Sequence, residues 1–377
     1  MIEKKVSMNI PARIFYIDNL RIFLISLVVL HHLSITYGAP GDWYYNESKA
    51  GFPEILPLAM FVATNQSFFM GMFFFVSAFF ILPSLNRKGT GRFIRERLLR
   101  LGVPLLFFYF VLAPLTAFIR SRFISGDPVS LTDYWINQHG VGFGPLWFVE
   151  ALLIFTLIFL LIKPFKIKII APFPGTTRIL LTIFLVGLLQ FIIRIWLPVG
   201  WSMPFTSFQF PFFVQYILLF ALGIVAYQNN WLASVSFLKG KNWFIFAQVL
   251  IFVGFPLLFV FGGKGERGID AFMGGFSWQN FAYALWEQLT GFSLIIGLSG
   301  LFQKYFNSQN KVTGYLSGSA YGVFVFHAPI LVGISAIFVS WQAFPVIKLV
   351  ALAPVALVLC FLIAGLVKKI PMAGKVF

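Results

Sequence analysis

Arg21 and His32 stand eleven positions apart in the stretch RIFYIDNLRIFLISLVVLHHLSITYG, residues 13–38. At about 100° per residue, eleven steps of an α-helix return to nearly the same azimuth, so both side chains would face one pathway, about 16 Å apart along the axis. An imidazole exchanges its proton near neutral pH and can serve as a general base. A guanidinium stays charged and can steady an anion or a developing oxyanion. Asp18 lies one turn before Arg21 and can neutralise it, while His31 points about 100° away from His32. From Tyr16 to Tyr37 the stretch is long enough to cross a bilayer, and ionisable groups inside hydrocarbon are costly enough to be functional candidates by default. The alternative is structural, with Asp18 and Arg21 as an interfacial anchor pair and the histidines hydrogen-bonded inside a helix bundle.

Other residues extend this chemistry. Residues 86–104, NRKGTGRFIRERLLRLGVP, read as a basic loop before an apolar run. They carry Arg92, Arg95, Arg97 and Arg100, of which Arg97 and Arg100, three apart, would share one face of a helical turn and grip phosphates through paired hydrogen bonds. Charge asymmetry across a membrane would also place arginines here. His32, Glu150, Arg194 and Glu287 fall at a similar depth near one end of their apolar runs. A shared polar cavity, with Glu150 or Glu287 paired to the histidine, is the economical arrangement of such groups; a structural ion pair of Glu150 with Arg194 is the alternative. His327, with Tyr321 six residues before it, would either line the same interior or be a satisfied core histidine. His139, in a loop, carries no special signal. Four histidines, the single Cys360 and no ligand spacing argue against a metal, and no G-x-S-x-G, Walker or H-E-x-x-H motif is present.

These groups must be held by apolar helices. Of 377 residues, 59% are hydrophobic and 11% charged, more apolar material than a soluble core needs, so the chain reads as a single all-α, polytopic membrane domain spanning residues 1–377. Ten runs are long enough to cross: Tyr16–Tyr37, Phe61–Leu82, Val103–Ile119, Leu146–Ile162, Ile179–Leu197, Phe208–Tyr227, Trp243–Phe261, Phe281–Leu301, Tyr321–Val339 and Phe344–Val367. Lysines and arginines gather before the first run, between Arg87 and Arg100, between Lys163 and Arg178, at Lys239, Lys241, Lys304 and Lys311, and in the tail. Only Lys49, Arg120, Arg122, Lys264 and Arg267 occupy the alternate loops, which places both termini in the cytoplasm. The net charge of +16 is then a matter of topology rather than of a nucleic-acid partner. The first run is too long for a signal-peptide core and reads as a retained anchor. The loop from Gly38 to Pro57, with Trp43, Tyr44, Tyr45, Asp42, Glu47 and Glu54, suits stacking on sugar rings or an ordinary interfacial belt. The segment from Ser121 to Pro145, with its GVGFGP, is expected to cover a cavity mouth. Buried charges at several depths would also suit a transporter or flippase of an anionic glycan or lipid, though no repeated halves are evident.

YIDNLRIFLISLVVLHHLSITYG (16–38), FFFVSAFF (73–80), RERLLRLGVP (95–104), GPLWFVEALLIF (144–155) and SAYGVFVFHAPILV (319–332) together, in this order, resemble the integral-membrane acyltransferase type 3 family, nearest its glucan biosynthesis protein C branch. The resemblance implies a ten-span inner-membrane enzyme, embedded in lipid, that takes an acyl group of the acetyl or succinyl class from cytoplasmic acyl-CoA. The acceptor would be a hydroxyl of an extracytoplasmic glycan, with no metal involved. The family's arginine and histidine ten residues further on fall on Arg21 and His32, and its R-x-x-R on Arg97 and Arg100. Two positions depart from the pattern: Glu96 stands where arginine is often found, and Ala78 replaces glycine in Val76-Ser77-Ala78-Phe79. By this resemblance Arg92, Arg95, Arg97 and Arg100 would hold the phosphates of CoA, and its pantetheine arm would pass Arg21, itself paired with Asp18. His32, oriented by Glu150, would deprotonate the acceptor or carry the acyl group itself. Trp147, Arg194, Glu287, Tyr321 and His327 would then contact substrate.

Overall fold

Inside a bilayer only helices or closed barrels satisfy the backbone, and the chain takes the first solution throughout. The computed structural model describes residues 13–47, 51–137, 142–162, 169–264 and 267–376. Ten helices are long and apolar enough to cross a membrane: α1 Phe15–Thr36, α2 Glu54–Lys88, α3 Thr90–Ser125, α4 Gly144–Ile162, α5 Thr176–Trp196, α6 Phe210–Gln228, α7 Phe237–Gly262, α8 Trp278–Tyr305, α9 Lys311–Ile337 and α10 Pro345–Lys368. Each expected run overlaps one of them, and most ends differ by one or more residues.

α2 and α3 exceed expectation, at 35 and 36 residues. The basic stretch read as a loop is helical on both sides of Gly89, whose φ of +76° makes the only turn between the two helices. Lys88 pairs with Glu96 across that turn, and Arg92 pairs with the same carboxylate one helical turn away at 3.1 Å, which favours helix over loop. α3 is also irregular, with π turns at Leu98–Gly102 and Phe108–Leu112, and α7 has another at Leu250–Gly254. Pro104, Pro114 and Pro256 each follow one of these turns by two residues. A proline offers no N–H and its ring crowds the carbonyl four residues back, and a widened turn relieves both.

α1 packs against α2, α8, α9 and α10, and α8, the most enclosed span, against α2, α5 and α7. Small residues let these helices touch. A Cβ on Gly291 of α8 would lie 2.0 Å from the Ser67 carbonyl oxygen of α2, and one on Gly223 of α6 would lie 2.3 Å from the Phe75 carbonyl oxygen and 2.9 Å from Cβ of Ala78. The close approach expected of a glycine at position 78 is therefore kept by Gly223 from the opposite helix. Gly291→Val is expected to lower stability by about 2 kcal/mol through overpacking. Thermal unfolding in detergent checks this, with Gly314→Ala, where nothing lies within 4 Å, as the silent control.

Candidate functional site

The chain after α1 folds back on the helix it leaves. Ala39 N–H donates to the Ser34 carbonyl at 2.9 Å and Glu47 N–H to that of Thr36 at 2.8 Å. Lys348 of α10, buried, pairs with Glu47, its ammonium 5.4 Å from the Tyr37 ring and 5.9 Å from that of Trp341. This doubly anchored loop lays Trp43 flat on His32, with ring centroids 3.9 Å apart and planes 17° apart. His327 of α9 lies beside both, 5.2 Å from His32. Its Nδ1 is 2.7 Å from the Phe324 carbonyl. Since a carbonyl only accepts, that nitrogen carries the proton and leaves Nε2 a bare lone pair. Neither that Nε2 nor Nδ1 of His32 has a hydrogen-bond partner among the described residues. His31 faces Phe69 at 4.9 Å and meets the His32 ring edge-on at 5.4 Å.

His32 and Trp43 line a cavity of about 250 Å³ at this end of the bundle. Asp42 and Tyr44 enter it from the same loop, and burial, helped by the Asp42 carboxylate, pushes the Tyr44 phenol above its usual range. Tyr44 is thus a neutral donor at neutral pH. Gly142, Gly144 and Trp147 line it around the start of α4, as the GVGFGP segment was expected to do. Ser202, Ser207 and Gln209 come from the loop before α6. In that loop Phe205 and Ser207 adopt φ of +70° and +60°, held by Met203 N–H to the Phe208 carbonyl at 2.8 Å and Ser207 N–H to the Met203 carbonyl at 3.0 Å. Strained non-glycine backbone of this kind concentrates at ligand sites.

The basic groups gather at the opposite end. A cavity of about 750 Å³ is lined by Arg87, Lys88, Arg92, Arg100 and Lys375, with Glu96 tying Lys88 and Arg92 together. Arg97 turns another way: its guanidinium lies 5.1 Å from the Phe93 ring, with Arg100, Arg21 and Tyr321 as its electrostatic neighbours. Arg100 lines the cavity and Arg97 does not, although the two guanidinium groups remain electrostatic neighbours on either side of the start of the π turn at Leu98. Arg95 is exposed and lies outside the cavity lining. Arg21 bonds Asp18 at 3.4 Å and covers the Phe80 ring at 4.9 Å, while Asp18 also holds Arg13 at 2.7 Å. Tyr321 belongs to this end and not beside His32, for its hydroxyl donates to the Arg100 carbonyl. Six residues of α9, about 9 Å of rise, separate it from His327.

The four groups of similar depth do not share one cavity. Arg194 of α5 takes Glu287 of α8 at 2.8 Å, both fully buried, and Gln190 donates to the same carboxylate at 2.8 Å. Gln288 bonds Gln190 and accepts from Gln215 of α6 at 3.0 Å, and Gln215 also donates to the Ser67 carbonyl at 2.7 Å. The ion-pair alternative thus holds for Arg194 with a different partner, because α5 packs on α8. Glu150 sits one turn below Trp147, its Oε2 buried without a hydrogen-bond partner among the described residues. Trp147 stacks on Tyr216 at 5.6 Å and 27°. His139 lies outside the described residues. Among those described, no three His, Cys, Asp or Glu side chains converge as a metal site.

Residues 14–365 match the family model described as an acyltransferase domain. The chain belongs to the acyltransferase 3 family. Membership agrees with one of the two functional expectations, that of a membrane acyltransferase. Partial similarity extends to proteins named "Glucans biosynthesis protein C" from Escherichia coli strains K12 / DH10B, SMS-3-5 / SECEC and O1:K1 / APEC, each 27% identical over 153 residues, or 39% of this chain. The match covers 38% of the length of these relatives. No solved structure matches the chain.

Several residues around the two cavities were not singled out by sequence reasoning. Lys375 comes from the far end of the chain, and Ser202, Ser207 and Gln209 from a loop with no charge to draw notice; WSMPFTSFQF, crowded with aromatics and broken by proline, was the available signal. The anchor of Trp43 rests on Lys348, a lone cation just inside a span. Lys348→Met is expected to cost the acyltransferase about 3 kcal/mol by leaving the half-buried Glu47 carboxylate unpaired, and Glu47→Gln in the same chain should recover part of it. Melting temperatures of the single and double variants check this.

Proposed function

We propose that this acyltransferase moves an acetyl- or succinyl-class acyl group from acyl-CoA, held at the arginine end, to a hydroxyl of a glycan held at the Trp43 end. The observation that carries the proposal is His32, stacked under Trp43 on the floor of a polar, aromatic cavity, on a helix whose other end faces the arginines. The excess of lysine and arginine at that other end orients it to the cytoplasm of an inner membrane, where acyl-CoA is available. Arg92 and Arg100 with their basic neighbours suit a polyanionic donor, and Arg97 and Arg21 mark its way along α1. Trp43, Tyr44 and Asp42 suit a sugar, whose ring stacks on an indole and whose hydroxyls bond to phenol and carboxylate. The word "glucans" in the relatives' name agrees with that acceptor.

His32 takes the proton of the acceptor hydroxyl as its oxygen attacks the thioester carbonyl. The C–S bond breaks, an ester forms, and the imidazolium returns the proton to the departing thiolate. Arg21 stands along the donor path, with Asp18 holding it in place. Glu150, unpaired one turn below Trp147, is placed to orient the acceptor or the base. Purified protein in lipid nanodiscs, given radiolabelled acetyl- or succinyl-CoA and cell-envelope glycan, should release CoA and label the glycan as an alkali-labile ester. Release without labelled glycan would remove the acceptor assignment. Arg97→Ala with Arg100→Ala should raise the donor KM by tenfold or more, at about 1.5–3 kcal/mol for each hydrogen bond to a charged group, and leave the acceptor KM unchanged. An unchanged donor KM would remove the phosphate clamp.

A further inference from the structure

In an α-helix the Arg100 carbonyl would accept from the N–H of residue 104, which is a proline and has none. α3 opens into a π turn here, with Val103 N–H reaching back to the Leu98 carbonyl. The Arg100 carbonyl is satisfied from outside the helix, by the Tyr321 hydroxyl of α9 at 2.5 Å. The same turn carries Arg100, which lines the basic cavity and has Arg97 as an electrostatic neighbour. A cross-helix hydrogen bond thus meets a backbone distortion at the residue that brings a guanidinium to the cavity.

We infer that Tyr321 is a positioning residue of the donor site: by bonding the carbonyl to which Pro104 offers no N–H, it fixes the π turn that sets Arg100 in the basic cavity beside Arg97. The inference rests on the donor reading above, and adds to it that the arginines are set by α9 and not by α3 alone. Tyr321 acts through the backbone of Arg100. Its removal therefore weakens donor binding and leaves the chemistry at His32, at the far end of the bundle, intact.

The test uses the whole protein in nanodiscs and CoA itself as the probe, with calorimetric binding beside steady-state kinetics. Tyr321→Phe is expected to weaken CoA binding about fivefold, the net effect of losing one cross-helix hydrogen bond, and to raise the donor KM with kcat and acceptor KM within twofold of the parent. Pro104→Ala restores an N–H at position 104 and lets the carbonyl be capped within its own helix. In that background Tyr321→Phe should change CoA affinity by less than twofold, and this double variant should fold as well as the parent even where Tyr321→Phe alone does not. An equal loss in both backgrounds, or a fall in kcat with donor KM unchanged, overturns the inference. Arginine substitutions that leave CoA affinity untouched would instead overturn the donor site, whatever Tyr321→Phe does.

Discussion

His32→Ala is expected to lower turnover by about 10²- to 10⁴-fold, the range for loss of a positioned general base, while the protein still accumulates and binds CoA. The imidazole stacks on Trp43 at 3.9 Å beside His327 at 5.2 Å, and it lines the cavity, so its removal strips the reactive group without opening the bundle. His31→Ala supplies the comparison. That ring packs on Phe69 and is absent from the cavity lining, so its loss should cost stability more than rate. CoA release with saturating donor and acceptor separates the two variants. Wild-type turnover by His32→Ala would end its assignment as base and shift attention to His327, whose bare Nε2 lies in the same stack.

Length and composition made the ten spans legible, because hydrocarbon thickness sets one scale for every helix and polar interruptions mark its ends. The face shared by Arg21 and His32 was legible for a related reason, since a straight helix converts spacing directly into azimuth. α3 was less legible. Arg97 and Arg100 are electrostatic neighbours, but a π turn just before Pro104 leaves only Arg100 in the cavity lining, and the tyrosine that bonds its carbonyl lies more than two hundred residues away. Gly89, Gly91 and Gly102 made the arginine stretch look like a loop, although only Gly89 makes a turn. Equal depth correctly brought Arg194 and Glu287 to the same level. It could not say that they choose each other, because that depends on α5 packing against α8, where Gly187 lies against Leu285. Trp43 was noticed as an aromatic and not as the lid of His32, since its anchor, Lys348, is distant in sequence.

Breaking the Arg194–Glu287 pair is expected to produce the largest stability loss in the molecule. Side-chain exposure is 0% for Arg194 and 2% for Glu287, so Arg194→Met or Glu287→Met each strands a full charge away from water, at about 3–5 kcal/mol. The bilayer around the bundle raises the cost of a stray charge further. Replacing both residues removes the stranded charge, and apolar substitutes for a buried pair are often neutral. Arg194→Met/Glu287→Met should therefore melt well above either single variant. It should still fall short of the parent, because Gln190 loses the carboxylate it donates to and the chain through Gln288 and Gln215 to the Ser67 carbonyl loses its end. Thermal unfolding of the four proteins in one detergent closes the cycle, with a coupling of several kcal/mol expected between the two positions. Additive losses would mean that the two charges do not meet. Turnover should follow a different order: Tyr216, which stacks on Trp147 at the His32 cavity, has Glu287 and Arg194 as electrostatic neighbours, so the double variant, though refolded, should keep a raised acceptor KM.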